Sequence, residues 1–290
     1  MTAVRVWRDH WDEVAGTVGH RVEARWLCEE ASGAFGADFD EVLDEVPTVR
    51  MIAHLDAMLA RCAAGEPLQY VLGHWAFRHL DLLVDRRVLI PRPETELVAG
   101  IAIGLAATIA AERTVYCADL GTGTGAIGLS IAAELPRGAV EVWLTDLSSD
   151  ALDVARANLA GIGSAGASVR LAVGDWFDAL PDHLRGRLDV VVANPPYVAD
   201  DDPALEEIVR AWEPSMALFG GGDGLRELRR IAAAASEWLA EGGWLVLEIG
   251  ATQAADVTAL LADFAEVAVH RDAAGRDRIV VARRAAFSRG

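Results

Sequence analysis

The sequence predicts an α/β domain built on a mostly parallel, doubly wound sheet of seven strands, preceded by a small helical domain and a β-hairpin linker. Three observations carry this. From Thr114 onward, short β-branched runs alternate with helical segments, the pattern of strand–helix–strand units. A glycine-rich turn joins the first of these runs to the helix behind it. The last two runs are separated only by Arg271–Asp277, too short for a parallel crossover, so they should form an antiparallel hairpin at one edge.

From the N-terminus, residues 4 to 64 read as helices. Trp7, Trp11, Val14 and Val18 recur at helical spacing, as do Met51/Ile52, Leu55, Met58/Leu59 and Cys62. Breaks fall at Gly33–Gly36 and near Pro47, and the aromatic and Met stripes supply the core of a bundle. Gln69–Phe77 and Leu80–Val84 read as strands joined at Arg78-His79, a hairpin. Pro91-Arg92-Pro93 is a rigid joint, and Pro93-Glu94-Thr95-Glu96 gives the next helix its first-turn proline and acids. Leu97–Ala111 is apolar throughout, yet its 15 residues, closed by Glu96 and Glu112, fall short of a membrane span and predict a buried helix. The expected domains are 1–66 (helical), 67–93 (hairpin linker) and 94–290.

Strands are predicted at Val115–Leu120, Val140–Asp146, Val169–Val173, Leu188–Ala193, Trp244–Ile249, Phe264–His270 and Arg278–Ala282. Helices are predicted near Ala126–Leu135, Asp150–Gly161, Leu205–Trp212 and Leu225–Ala240. Seven strands ending in an antiparallel hairpin suit a methyltransferase-type sheet better than a six-stranded, all-parallel dinucleotide fold.

Composition narrows the partners. The 290 residues are 52% hydrophobic and carry a formal charge of −18; all 26 basic residues are arginine. Proteins that grip many phosphates do so through basic patches. No such block occurs here, since Arg226–Arg230 is interrupted by Glu227 and Leu228, so stable nucleic-acid binding is not expected and a protein partner is favoured. Cys28, Cys62 and Cys117 are isolated and odd in number, which suggests neither a disulfide framework nor a zinc site and fits a reducing cytoplasm. The first residues lack the apolar core of a signal peptide, so the chain is expected to be cytoplasmic, off the membrane and monomeric.

Two turns carry chemistry. Asp119-Leu120-Gly121-Thr122-Gly123-Thr124-Gly125 lies at a strand-to-helix junction, where alternate glycines allow close approach of a ligand to the backbone ahead of a helix N-terminus. Gly123–Gly128 also contains a G-x-G-x-x-G, so NAD must be weighed. The D-x-G-x-G-x-G spacing favours S-adenosylmethionine instead. So do Asp146 at the end of the next strand, placed for ribose hydroxyls, and Gly174-Asp175-Trp176 at the end of the third, with a carboxylate for the adenine amine and an indole to cover the ring. Plainer roles remain open: Asp146 as a turn cap, Trp176 as core.

The second turn, Asn194-Pro195-Pro196-Tyr197, follows the buried run Leu188–Ala193. Two prolines stop the strand and present one carboxamide and one aromatic ring at the carboxyl edge of the sheet, where α/β proteins bind ligands. That pairing suits a planar, weakly nucleophilic nitrogen such as an amide or an exocyclic amine. A proline-stopped loop with an Asn cap is the simpler alternative.

Together these motifs resemble the HemK/PrmC family, which methylates the glutamine of the Gly-Gly-Gln loop in peptide chain release factors. The specific stretch is Val88-Leu89-Ile90-Pro91-Arg92-Pro93-Glu94-Thr95-Glu96. Pro67–Gly73, Glu213-Pro214, Gly221–Leu225, Glu248-Ile249-Gly250, Gln253 and Gly275–Arg278 also fit the pattern. Arg78-His79, where a smaller residue such as Gly is expected, and Asp85-Arg86-Arg87, where a Pro-containing turn is commoner, depart from it.

The resemblance implies a Rossmann-like class I S-adenosylmethionine-dependent methyltransferase fold, with release factors as substrate docked by residues 1–66 and S-adenosylhomocysteine as product. It implies cofactor binding by Asp119, Gly121, Thr122, Gly123, Thr124, Gly125, Asp146, Asp175, Trp176 and Asn194. Catalysis would rest on Asn194, Pro195, Pro196 and Tyr197, without a metal. The Asn194 side-chain oxygen and the Pro195 carbonyl would accept the two N–H groups of the substrate amide, and Tyr197 would pack on its plane. Because the N-P-P-Y turn is shared more widely, the rival is an exocyclic-amine (adenine N6 or guanine N2) nucleic-acid methyltransferase. A scaffold that only binds partners, or a nicotinamide dehydrogenase, lies further off.

Overall fold

The computed structural model describes residues 4–286, which divide into two compact units parting between His74 and Trp75. The first holds α1 (Trp7–Val18), α2 (Arg21–Ser32), α3 (Ala37–Val42), α4 (Val49–Ala63) and α5 (Leu68–Leu72). The predicted stripes meet in one core, where Trp7, Val14, Leu55 and Met58 pack with Leu27, Cys28 and Phe39.

The run from Gln69, read as one strand to Phe77, is a correction. Leu68–Leu72 is helical, entered from Pro67 and closed by Gly73 in the left-handed region at φ 82°, and only His74–Phe77 extends, as β1. Val71, Leu68 and Leu72 pack on the helical core. That packing decides a five-residue apolar run which periodicity alone leaves ambiguous. The helical unit therefore runs past residue 66, where the sequence sets its end.

In the second unit, β1 pairs with β2 (Leu80–Leu83). At the tip Arg78 holds φ 52°, the left-handed conformation a glycine adopts without strain. The turn after β2 is secured by Asp85, whose carboxylate accepts the backbone N–H of Arg87 at 3.0 Å and its guanidinium at 2.6 Å, in place of a proline. Then follow α6 (Pro93–Ala110), β3 (Val115–Leu120), α7 (Ala126–Glu134), β4 (Val140–Asp146), α8 (Ser149–Gly161), β5 (Val169–Val173) and β6 (Leu188–Ala193). The chain continues through α9 (Glu207–Trp212), α10 (Ser215–Leu218), α11 (Arg226–Trp238), β7 (Leu239–Glu248), α12 (Ala254–Leu260), β8 (Glu266–Arg271) and β9 (Asp277–Arg283).

The seven-stranded sheet has the order β5-β4-β3-β6-β7-β9-β8, parallel up to β7 and antiparallel at β9 and β8. Strand alternation divides the core in two. Val190 and Val192 of β6 face α6 and α7 through Val98, Ala102 and Ile127, while Val191 and Ala193 face α11 and α12 through Leu228, Ile231 and Val257. All six residues of β6 are buried, as a central parallel strand requires. Among the described residues α6 alone is long and apolar enough to cross a membrane by composition. Its buried stripe of Val98, Ala99, Ala102 and Ala106 belongs to the sheet core.

β7 begins at Leu239 rather than Trp244, with a register shift against β6 between those two residues, and α12 has no counterpart in the sequence reading.

Candidate active site

β3, β4, β5 and β6 all end at one edge of the sheet, and a cavity of about 240 Å3 opens there. Of the sequence-predicted residues, Asp119, Gly121, Thr122, Gly123, Thr124, Asp146, Asp175, Trp176, Asn194 and Pro196 line it. Gly125, Pro195 and Tyr197 do not. Gly125 instead starts α7 at φ 87°, packed so closely that a Cβ would lie 2.7 Å from Leu129.

Asp119 is almost wholly buried. Its Oδ2 accepts the Thr122 hydroxyl at 2.6 Å and the Gly128 N–H at 2.9 Å, folding the glycine loop back over the strand end. Its Oδ1 is buried without a partner. Burial pushes this carboxyl up to about 6, against those two hydrogen bonds. Asp146 accepts the Gly123 N–H through Oδ2 and the Ser148 N–H through Oδ1, both at 2.9 Å; burial raises its pKa as well. Each oxygen of Asp146 keeps a further lone pair. Behind the loop, Asn158 of α8 donates to Thr124 O and exchanges hydrogen bonds with the backbone of Leu83, tying the hairpin to the loop.

The third strand end is more heavily engaged than the sequence indicated. Asp175 Oδ2 accepts Arg230 at 2.6 Å, and Trp176, at φ 49°, donates its indole N–H to Glu227 at 2.9 Å. Glu227 also receives Arg226 and Arg230. This network fixes the indole against the loop: a Cβ on Gly121, itself at φ 70°, would lie 2.9 Å from the Trp176 ring. Arg226, Glu227 and Arg230 line the cavity and were missed in the sequence, as was the exposed Leu147 immediately after Asp146.

Arg87, Val88, Leu89 and Pro91 also line the cavity, as do Pro214, Met216 and Ala217. These segments are clasped by buried Glu213, which accepts the Ile90 N–H at 3.1 Å and Arg92 at 2.5 Å, while Arg86 stacks over Trp212 at 3.9 Å. Arg92 is thus held by Glu213 at this joint.

Asn194 stands where β6 ends. Its Nδ2 donates to Thr95 Oγ1 at 3.3 Å, and that hydroxyl donates to Glu248 Oε2 at 2.7 Å. The Tyr197 hydroxyl donates to the other oxygen of Glu248 at 3.1 Å, and its ring packs into the core beside α11. Burial pushes Glu248 up to about 7 and, with that carboxylate's negative charge, raises the Tyr197 phenol. Thr95 and Glu248 lie inside stretches the sequence had marked, Ile90–Glu96 and Glu248-Ile249-Gly250, without a role for either.

Residues 102–275 match the family model of the methyltransferase small domain, and residues 13–73 that of the PrmC N-terminal domain. A release factor glutamine methyltransferase of Xylella fastidiosa (strain Temecula1) is 44% identical over 229 residues, 78% of this chain and 80% of its own. Another, from Agrobacterium fabrum (strain C58), is 37% identical over 278 residues, 94% of this chain and 93% of its own. A solved methyltransferase from Pyrococcus furiosus covers 79% of this chain and 99% of its own at 17% identity, with a TM-score of 0.52, a likeness of fold. With a seven-stranded class I methyltransferase sheet, both family models matched and relatives of this closeness, the chain belongs to the release factor glutamine methyltransferase family.

Proposed function

We propose that the protein transfers a methyl group from S-adenosylmethionine to the side-chain amide nitrogen (N5) of the glutamine in the Gly-Gly-Gln motif of peptide chain release factors. The observation that carries the chemistry is the Asn194 carboxamide. It lines the same cavity as Asp119 and Asp146, with its nitrogen already committed to Thr95.

The cavity suits the donor. The unpartnered Asp119 oxygen would meet a cationic or N–H-bearing group, the spare lone pairs of Asp146 would meet ribose hydroxyls, and Leu147 and Trp176 would offer faces to a purine. Asp175 retains Oδ1 for an exocyclic amine. Gly121–Thr124 brings backbone close to the ligand. Bound there, S-adenosylmethionine supplies an electrophilic methyl group on a sulfonium.

The chain's own part is positional. An amide nitrogen is a poor nucleophile, since its lone pair is delocalised into the carbonyl, and deprotonating it near pH 7 is costly. Accepting its two N–H groups at Asn194 Oδ1 and the Pro195 carbonyl orients the nitrogen toward the methyl carbon. The same dipoles would stabilise the positive charge developing on the attacked nitrogen. The proton then leaves to water. Two consecutive prolines keep the acceptors rigid.

The N-terminal helical unit, through Leu72, docks the release factor and the α/β unit catalyses, with the chain acting as a cytoplasmic monomer. The test offers methyl-labelled donor with release factor, DNA or rRNA to the wild type and to Asn194→Ala. Label on release factor alone, lost in the variant, is the expected result; label only on nucleic acid overturns the reading.

A further inference from the structure

We propose that Thr95 and Glu248 are positioning residues that fix which end of the Asn194 carboxamide faces the substrate. This rests on the reading in which Asn194 Oδ1 accepts a substrate N–H. The two ends of a carboxamide are nearly equal in size, one accepting and the other donating. A flipped Asn194 would set N–H against N–H and lose the acceptor the reaction uses.

The hydrogen-bond polarity around Glu248 decides the matter. The side chain is buried to 1% exposure, and in its carboxylate form, which prevails above about pH 7, it only accepts. The Thr95 hydroxyl, 2.7 Å away, therefore spends its single hydrogen on Glu248. What Thr95 presents to Asn194 is lone pairs, so the group it accepts from is Nδ2. Oδ1 is left for the cavity. The other carboxylate oxygen takes the Tyr197 hydroxyl, so one buried acid orients both ends of the N-P-P-Y turn.

Each member arrives on a different element: Thr95 in the first turn of α6, Asn194 and Tyr197 around the end of β6, Glu248 at the end of β7. Thr95 is 4% exposed and does not leave the relay for solvent. A buried hydroxyl with one donor and a carboxylate with none leave a single consistent direction of donation, Tyr197 and Asn194 both toward the acid.

The experiment measures kcat and donor KM on the full chain, with release factor as acceptor, for Thr95→Val, Thr95→Ala and Thr95→Ser beside Asn194→Ala. Thr95→Val and Thr95→Ala should lower kcat by about tenfold or more, while donor KM stays within about threefold. Thr95→Ser keeps the hydroxyl and should restore kcat to within about threefold of wild type. The alanine variant keeps a good helix former in α6, so it reports even where the valine variant is poorly recovered. A kcat within about twofold of wild type in the alanine variant overturns the relay, as does a serine variant impaired as much as alanine. Asn194→Ala separates the two ideas: if it still turns over, the acceptor role itself fails. If it is inactive while the Thr95 variants are unimpaired, only the relay fails.

Discussion

Arg78 closes a two-pronged ion pair on Glu134, Nε to Oε1 at 2.6 Å and Nη2 to Oε2 at 2.7 Å, across 56 residues of sequence. Its backbone N–H also donates to Glu96 Oε1 and its Nη1 to Glu96 O, so the hairpin tip is fastened to α6 and α7 together. This explains an arginine at a left-handed turn position where glycine was expected.

Replacing Arg78 separates the two contributions. Arg78→Ala loses the pair and keeps a Cβ at positive φ, and should cost about 1–3 kcal/mol in urea unfolding, the pair being partly solvent-screened. Arg78→Gly loses the same pair but relaxes the backbone, and should be the more stable by about 1 kcal/mol. Equal losses in the two variants would refute a strained turn.

Gly121→Ala tests the cradle between loop and indole. The added methyl would sit 2.9 Å from the Trp176 ring on a backbone at φ 70°. Affinity for S-adenosylhomocysteine by calorimetry should fall by about tenfold or more, with a loss of about 1–3 kcal/mol in stability.

Asp146→Ala removes the carboxylate offered to the ribose. Product affinity should fall by about 10- to 100-fold, the equivalent of one or two charged hydrogen bonds. The melting temperature without ligand reports separately on the freed Gly123 and Ser148 N–H groups. Unchanged affinity would remove Asp146 from the cofactor site.

Glu248 should leave a signature in stability against pH. Its native pKa is raised to about 7 from 4.5 by burial, with the charge of Glu94 adding to the effect and the hydrogen bonds from Thr95 and Tyr197 and the charge of Arg278 opposing it. Between these values the unfolded chain releases the proton while the native chain keeps it, so the contribution of this group falls as pH rises and levels off above 7. Relative to wild type, Glu248→Gln should therefore gain stability from pH 4.5 to 8, on the order of 3 kcal/mol. A pH-independent difference between the two proteins would show that Glu248 titrates normally.

The strands β3 to β6 were legible to the residue, because β-branched runs bounded by Gly, Pro, Asp and Asn leave little freedom in where a buried strand ends. The carboxyl-edge motifs were legible for the same reason: each follows directly on such a strand. What escaped depends on tertiary neighbours. Leu68–Leu72 is helical because it packs on the helical core, and β7 reaches back to Leu239 by pairing with Leu188 of β6 across a register shift. The engagement of Asp175 by Arg230 spans 55 residues. Thr95 and Glu248 are 153 residues apart; alone, one reads as a helix-start hydroxyl and the other as a strand-end acid.

That separation bears on how activity emerges as the chain folds. The acceptor corner draws on α6, β6 and β7, and β7 is held between β6 and the antiparallel β9. Contacts of such long range are late to close, since each must overcome the entropy of a large loop. A nascent chain that has completed the glycine loop and β6 but not β7 lacks Glu248, so the Thr95 hydroxyl beside Asn194 has no carboxylate to donate to. The acceptor corner is therefore complete only once the last parallel strand has closed on β6.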